Sequence, residues 1–288
     1  MALKHGSFKE LLSTMFKSHP WHSVSPGPDV PSVVTSYIEI VPPGAVKFEL
    51  DKATGHLHID RPQAFSSACP TLYGFIPQTY CGDGIGKLAA KSSGRKVVGG
   101  DGDPLDICIL SEREFNHGDI LVKARVIGGL LMIDKGEADD KIIAVLDQDL
   151  TFGHIKDLSE VPPKIIDRLK HYFLSYKRPP ASAEEEKGKD PVVVIDQVYG
   201  AKHAQEVIRQ SMTDYVASYG TEDDRLEALR SLLAQGISGS SQPDASKAKT
   251  PRGESSKSDT AKGDATKAKG PKKPHAKTKN KNKKKPHK

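Results

Sequence analysis

Residues 101–110 read Asp-Gly-Asp-Pro-Leu-Asp-Ile-Cys-Ile-Leu, an acidic loop that runs directly into an apolar strand. The carboxylates of Asp101, Asp103 and Asp106 lie within six residues and repel one another unless cations neutralise them. Gly102 permits unusual backbone angles and Pro104 stiffens the turn. The segment by itself fits a cation-binding loop and a solvated acidic turn equally well. An EF-hand is disfavoured, because the downstream glycine pattern and the closing glutamate of that calcium loop are missing.

A second acidic cluster follows the apolar run 130–133 and precedes the strand that Lys141 opens. Its members are Asp134, Glu137, Asp139 and Asp140. Two sets of carboxylates at strand ends could hold two or more hard cations through oxygen ligands, which suits Mg²⁺ or Mn²⁺ better than Zn²⁺. Taken alone, this cluster would be a solvated hairpin tip.

Cations and phenols form a third set, embedded in otherwise apolar segments. They are Lys47, Arg61, Tyr73, Tyr176 and Lys177. Each one alone fits a side chain whose charged or polar end reaches the surface. Together they supply the anion donors that a phosphoryl substrate requires beside metal ions.

Short strands joined by short connections predict an antiparallel barrel or a strongly curled sheet, not βαβ repeats. The predicted strands are Val33–Val41, Val46–Leu50, Leu57–Asp60, Leu105–Leu110, Ile120–Val126, Leu130–Ile133, Lys141–Leu146 and Val192–Ile195. Helical spacing predicts two main helices, Pro163–Lys177 and Ala201–Tyr219, a third at Glu222–Gln235 and a short one at Phe8–Phe16.

The charge of the chain is divided unevenly. The formal net charge is +6, but residues 241–288 carry 16 Lys and Arg against 4 Asp and Glu. This leaves 27 basic and 33 acidic residues in positions 1–240, so the rest of the chain is mildly acidic. Such a Lys-rich tail cannot bury enough apolar surface to fold, and we expect it to be disordered. It could be a solubilising extension, or it could contact nucleic acid or other polyanions electrostatically.

These patterns predict four regions: an N-terminal arm (1–30), a catalytic domain (31–220) with a flexible insertion at 81–100, a peripheral helix (221–236) and the disordered Lys-rich tail (237–288). Cys69, Cys81 and Cys108 are few and lack CxxC spacing, which indicates a reducing compartment without disulfides. No stretch approaches the roughly 18 apolar residues of a membrane span, and we expect a cytoplasmic protein.

In their order along the chain, the segments between Tyr37 and Ser218 resemble the soluble family I inorganic pyrophosphatases, whose signature is an Asp-x-Asp-Pro-x-Asp loop. The matching segments are Tyr37-Ile38-Glu39-Ile40, Lys47-Phe48-Glu49-Leu50-Asp51, Asp60-Arg61, Tyr73-Gly74-Phe75-Ile76-Pro77, the Asp101–Asp106 loop, Asp134 with Asp139 and Lys141, and His171-Tyr172-Phe173 leading to Tyr176-Lys177. The insertion after Tyr80 is longer than in compact bacterial members.

The resemblance implies Mg²⁺-dependent hydrolysis of diphosphate, with several Mg²⁺ ions that Mn²⁺ could replace, in a homo-oligomer. It implies a five-stranded OB-like barrel flanked by two main helices. The metal ligands would be Asp101, Asp106, Asp134, Asp139 and Glu39. Glu49 would lie nearby and support these ligands without binding the metal itself. Asp103 would orient or deprotonate the attacking water. The residues that grip phosphate would be Lys47, Arg61, Tyr73, Lys141, Tyr176 and Lys177.

Two other functions stay open at this stage: an OB-type nucleic-acid binding module, and a metal phosphohydrolase acting on nucleotides or polyphosphate. The glycine-rich run 82–87 resembles a phosphate-binding loop, but Cys81 precedes it and Leu88 follows its lysine, so we discount it. His171 and His203 lie on predicted helices without the spacing of zinc ligands, so core or surface roles are favoured.

Overall fold

The computed structural model describes residues 16–63, 66–176 and 193–238, and within them it contains nine strands and four helices. The strands are β1 (Val33–Ile40), β2 (Val46–Leu50), β3 (Leu57–Pro62), β4 (Leu72–Phe75), β5 (Asp106–Leu110), β6 (Ile120–Asp134), β7 (Glu137–Ala138), β8 (Lys141–Leu146) and β9 (Val193–Gly200). The helices are α1 (Asp83–Ser93), α2 (Pro163–Ser175), α3 (Ala201–Tyr219) and α4 (Glu222–Ser238).

Five of the strands close into a ring in which β1 pairs with β4, β4 with β5, β5 with β8, β8 with β6, and β6 with β1. In chain order these strands are the first to the fifth of the ring, so their spatial order is 1-2-3-5-4, as in an OB-like barrel. The predicted five-stranded barrel is therefore confirmed. One pairing differs from the antiparallel prediction, because β5 and β8 run parallel.

Strand β6 is a single strand of 15 residues where the sequence predicted two. The two predicted strands are separated by a gap that contains Gly128 and Gly129, which interrupt the apolar pattern. In the structure these glycines pair with β9 and let Tyr199 approach the strand, because a Cβ at Gly129 would collide with the Tyr199 ring. The glycines thus allow close packing and do not end the strand.

The strands of the ring are buried on both faces, which explains the continuous apolar run of β5. Ile107 and Ile109 face one hydrophobic cluster, which also contains Val207 of α3. Cys108 and Leu110 face a second cluster, to which α2 contributes Leu169, Tyr172 and Phe173. Both helices were predicted at these positions, and they cover opposite sides of the same strand.

The segment 81–100 was predicted to be a flexible insertion, and this was wrong, because helix α1 occupies it. Its high glycine content was the misleading signal. Gly86 lies so close to Gly99 that a Cβ there would collide with the Gly99 backbone, so this glycine serves packing. The helix ends in a left-handed Gly94, as helices commonly do.

An acidic side chain of α3 caps the N-terminus of α1. The Asp214 carboxylate accepts hydrogen bonds from the backbone N–H groups of Gly82, at 3.1 Å, and Ile85, at 2.9 Å. Gln210 also donates to it at 2.9 Å. Because this carboxylate already fills the position that a phosphate would take, the run 82–87 is not a phosphate-binding loop in this structure.

Parts of several predictions fall outside the described residues. These are the helix Phe8–Phe16 up to residue 15, the last residue of the predicted helix Pro163–Lys177, and the Lys-rich tail from residue 239. The peripheral helix was predicted at 221–236, and α4 lies there. Among the helices of the described residues, none has the length and apolar character needed to cross a membrane.

Replacing Asp214 by Ala should lower the free energy of unfolding by about 1–2 kcal/mol, because the N–H groups of Gly82 and Ile85 lose their acceptor. Urea denaturation at pH 7.5 measures this. Asp214→Asn retains an acceptor oxygen and should lose less than Asp214→Ala. Equal stability of the Ala variant and the parent chain would show that the cap contributes nothing.

The residues before β1 are anchored by an aromatic cluster against α3. The Nδ1 atom of His22 lies 2.8 Å from the Tyr215 hydroxyl. Burial, with smaller effects from the nearby His19 and Arg225, lowers the pKa of His22 to about 4. The Tyr219 ring also faces it, with ring centroids 4.9 Å apart. The folded state therefore favours neutral His22.

Because the folded pKa of His22 lies below the ordinary value of 6.5, its stabilising contribution should be complete above pH 6.5 and be lost as the pH falls towards 4. His22→Gln should therefore show a smaller decline in the free energy of unfolding between pH 6.5 and 4.5 than the parent chain. Urea denaturation across this range measures it. His171→Gln, at an exposed position of α2, should keep the parent decline. If the free energy of unfolding declined equally in both variants, His22 would not be the group responsible.

Candidate active site

The acidic loop 101–106 is fixed by backbone hydrogen bonds to the segment before α1. The N–H of Cys81 donates to the Asp103 carbonyl at 2.8 Å, and the N–H of Gly102 donates to the Cys81 carbonyl at 3.0 Å. The N–H of Asp103 donates to the Asp101 carboxylate at 3.1 Å. The loop therefore has a defined shape, and its carboxylates are not those of a freely solvated turn.

The parallel pairing of β5 with β8 brings the two acidic clusters together. Asp106, the first residue of β5, is paired in register with Lys141, the first residue of β8. The Lys141 ammonium is 2% exposed and contacts the carboxylates of both Asp106 and Asp139. The Tyr73 hydroxyl donates to Asp106 at 2.6 Å. One buried cation and one phenol thus lie among the carboxylates.

Burial and neighbouring carboxylates raise the pKa of Asp101. Burial is the largest cause, the charges of Asp139, Asp106 and Asp103 add to it, Lys141 opposes it, and the resulting pKa is about 8. The site therefore holds more negative charge than its own cations neutralise. Oxygen donors in such excess fit a hard divalent cation, which would relieve the repulsion.

Glu39 faces the same site because β1 departs from regular pairing at this residue. Ile38 pairs with Gly74 and Ile40 with Tyr73, so Glu39 is an extra residue in the strand. Such bulges redirect side chains and are frequent beside active sites. Burial and the charge of Asp106 raise the pKa of Glu39 to about 8, although its carboxylate accepts the Leu50 N–H at 2.8 Å.

The second acidic cluster lies on the hairpin between β6 and β8. Asp134 ends β6 on the face that carries Leu130 and Met132, which share a hydrophobic cluster with Tyr176. The N–H of Asp139 donates to the Met132 carbonyl at 2.9 Å, which fixes Asp139 at the start of β8. Among the described residues, no three Asp, Glu, His or Cys side chains are already grouped at metal-binding spacing. Lys141 instead bridges the two clusters.

The hairpin of β2 and β3 supplies the opposite wall. Lys47 contacts Glu49 at 2.6 Å and Asp60 at 3.2 Å, and Arg61 contacts Asp60. Glu49 therefore holds the Lys47 ammonium in place. Arg61 is paired in register with Lys47.

Tyr176 lies at the C-terminal end of α2. It is stacked on Tyr172 with ring centroids 5.0 Å apart, and it belongs to the same hydrophobic cluster as Tyr73. Lys177, the next predicted phosphate ligand, lies outside the described residues.

A cleft of about 60 Å³ opens between the hairpin and the acidic loop. The charged and aromatic side chains that line it are Trp21, Glu39, Lys47, Glu49, Lys52, Tyr73, Phe75, Asp103 and Asp106. Three residues in or near the cleft were not among the predicted site residues. Lys52 contacts Asp103, Trp21 lines the cleft, and Asp140 is buried with the Tyr199 hydroxyl donating to it at 2.9 Å. The adjacent acidic residues 139–140 could have indicated Asp140 from the sequence. Lys52 lies in a polar turn and Trp21 in the predicted arm, where no pattern indicated a role.

A model of the family Pyrophosphatase, described as inorganic pyrophosphatase, matches residues 36–216. The chain belongs to this family. The inorganic pyrophosphatase of Chlamydia caviae is 49% identical over 216 residues, which span 75% of this chain and 98% of that protein. The soluble inorganic pyrophosphatase of Oryza sativa subsp. japonica is 35% identical over 213 residues, spanning 73% of this chain and 86% of that protein.

Solved structures of inorganic pyrophosphatases share the fold. The crystal structure from Thermus thermophilus is similar with a TM-score of 0.53 and 32% identity, covering 67% of this chain and 97% of that chain. The inferred resemblance is thus confirmed, and the matched residues 36–216 closely follow the span from Tyr37 to Ser218 that the motifs indicated. All the predicted inorganic pyrophosphatase site residues except Lys177 lie in the part of the chain that the structure describes.

Proposed function

We propose that this chain hydrolyses inorganic diphosphate to two phosphates. One observation carries the proposal: the acidic loop 101–106 and the Asp139–Lys141 cluster meet at one end of the parallel pair β5–β8, and Lys47 and Lys52 of the β2–β3 hairpin line the same cleft as Asp103 and Asp106. Such an arrangement of carboxylates opposite cations suits a substrate that arrives as a polyanion together with metal ions. The family membership supports the same reaction.

We further propose Mg²⁺ as the resident ion, bound at several positions and replaceable by Mn²⁺. The residues that would hold it are Asp101, Asp106, Asp134, Asp139 and Glu39. The fit rests on their chemistry: all are carboxylates, and the raised pKa values of Asp101 and Glu39 indicate negative charge that lacks a counterion. When bound, such ions lower the pKa of a water molecule and neutralise charge on diphosphate.

Side chains of the protein would supply the proton acceptor and the groups that bind phosphate. Asp103 lies at the cleft without being fully buried, so its carboxylate oxygen can accept the proton of the attacking water. Lys47, Arg61, Tyr73, Lys141, Tyr176 and Lys177 bind phosphate oxygens and offset the charge that develops on the leaving phosphate. Glu49 orients Lys47 through their 2.6 Å contact.

Replacing Asp103 by Asn should lower kcat for diphosphate hydrolysis by roughly 10²- to 10⁴-fold, because an amide cannot accept the proton of the water. Phosphate release measured with Mg²⁺ tests this. Asp167→Asn, which changes an exposed carboxylate of α2, should retain the parent rate.

The same assay separates the competing functions. A nucleic-acid binding module would release no phosphate in either form, whatever divalent ion is added. Faster turnover of tripolyphosphate or a nucleoside triphosphate than of diphosphate would instead favour the broader phosphohydrolase. Either result would contradict the proposal.

We also propose that the Lys-rich tail contacts nucleic acid. Its 16 basic against 4 acidic residues in positions 241–288 support this, because such a segment neutralises phosphates and releases their counterions. The tail would then hold the enzyme where nucleotidyl transfer releases diphosphate. The homo-oligomeric state and the cytoplasmic location stay predictions.

Replacing the last five tail lysines by Gln should weaken duplex DNA binding several-fold and reduce the steepness of its salt dependence, because fewer counterions are released. The positions are Lys281, Lys283, Lys284, Lys285 and Lys288. Fluorescence anisotropy of labelled duplex DNA measures the affinity between 50 and 200 mM salt. Over this range the affinity of a protein that contacts several phosphates changes by about 10³-fold. Diphosphate hydrolysis by the variant should match the parent. A full-length chain that binds polyphosphate but not DNA would point to a different polyanion.

A further inference from the structure

A buried threonine that does not line the cleft contacts the acidic loop. Thr79 is 0% exposed and lies between β4 and α1. Its hydroxyl donates to the Ile76 carbonyl at 2.6 Å and accepts the N–H of Leu105 at 2.9 Å. Leu105 stands between the proposed catalytic residue Asp103 and the proposed ligand Asp106, so this hydrogen bond meets the loop at its centre.

The Ile76 carbonyl determines where the proton of the Thr79 hydroxyl points. A hydroxyl has one proton, and donating it to the Ile76 carbonyl leaves the lone pairs free to accept from Leu105. The adjacent Pro104 has no N–H, so the amide of Leu105 is the donor available at the turn. The Leu105 carbonyl in turn accepts the Ile76 N–H at 3.0 Å. Both backbone groups of Leu105 are therefore tied to the segment 76–79.

The chain's single tryptophan holds the backbone of Thr79. The indole N–H of Trp21 donates to the Thr79 carbonyl at 2.7 Å. Trp21 is 2% exposed, and it lines the cleft together with Asp103 and Asp106. A continuous series of hydrogen bonds thus runs from Trp21 through Thr79 to the amide of Leu105.

We propose that Thr79 is a positioning residue for the proposed diphosphate hydrolysis: its hydroxyl holds the Leu105 amide and thereby sets Asp103 relative to Asp106. Thr79 does not touch the substrate. Its loss lets the turn relax, so the carboxylates of Asp103 and Asp106 no longer present one geometry to a cation and to water. The phosphate-binding side chains among the described residues lie on β2, β3, β4 and β8 and directly after α2, and they keep their places. The inference rests on the proposed function.

The test compares Thr79→Val, which keeps the shape of the side chain and removes the hydroxyl, with Thr79→Ser, which keeps the hydroxyl. Thr79→Val should lower kcat about tenfold or more, the loss that one unsatisfied buried amide can cause. Its KM for diphosphate should change little, because uniform substrate binding is retained. Thr79→Ser should restore kcat to near the parent value.

A second readout does not depend on turnover. Trp21 fluorescence, titrated with Mg²⁺ or Mn²⁺ in the absence of diphosphate, reports cation binding beside the loop. The half-saturating cation concentration should rise several-fold in Thr79→Val and return towards the parent value in Thr79→Ser. Urea denaturation of each variant ensures that the assays run on folded protein. Should Thr79→Val not fold, Thr79→Cys, which offers a weaker sulfur acceptor, should shift both readouts in the same direction.

Parent values of kcat and of cation half-saturation in Thr79→Val would overturn the inference. So would equal losses in Thr79→Val and Thr79→Ser, since these would indicate packing of the methyl group and not the hydroxyl. A parent chain that leaves diphosphate intact would contradict the proposed function instead, and the fluorescence titration would then decide the role of Thr79 by itself.

Discussion

The parallel pairing of β5 with β8 is the constraint on which the site depends. Each acidic cluster comes immediately before its strand, at Asp101–Asp106 before β5 and at Asp134–Asp140 before β8. In a parallel pair the beginnings of both strands lie at the same end, so the two clusters meet there. An antiparallel pair would have separated them by the length of the strand. The 1-2-3-5-4 order of the ring supplies this one parallel contact among antiparallel neighbours.

Bringing these carboxylates together is unfavourable, and the charge balance of the site shows how the fold tolerates it. Lys141 is almost completely buried, a state that alone would lower its pKa, yet Asp106 and Asp139 raise that pKa well above the ordinary value. A single ammonium is shared by several carboxylates, and burial together with the charges of neighbouring carboxylates raises the pKa values of Asp101 and Glu39. An acidic domain can therefore bind a polyanion, because cations must accompany the substrate.

Local pattern was enough to predict most elements, whereas contacts between distant segments were not. Alternation predicted β2 at its observed bounds, the strand predicted at Lys141–Leu146 is β8, and helical spacing predicted α3. Helix α1 was missed because its stability comes from Asp214, which lies far away in sequence. Lys52 was missed for a similar reason: it lies in a polar turn, and only the folded hairpin brings it to Asp103. The parallel sense of β5 and β8 is likewise a property of the whole ring.

Departures from regular strand pairing place side chains that regular strands could not. Glu39 is the extra residue where β1 pairs with β4, and Asp60 is the extra residue where β2 pairs with β3. A strictly alternating β1 would give Glu39 and its neighbours fixed opposite faces, so the bulge is what allows a carboxylate to point from a buried strand towards Asp106. The Asp60 bulge brings its carboxylate to both Lys47 and Arg61. Both irregularities lie beside the cleft, so the strands hold the barrel together while their bulges direct carboxylates of the site.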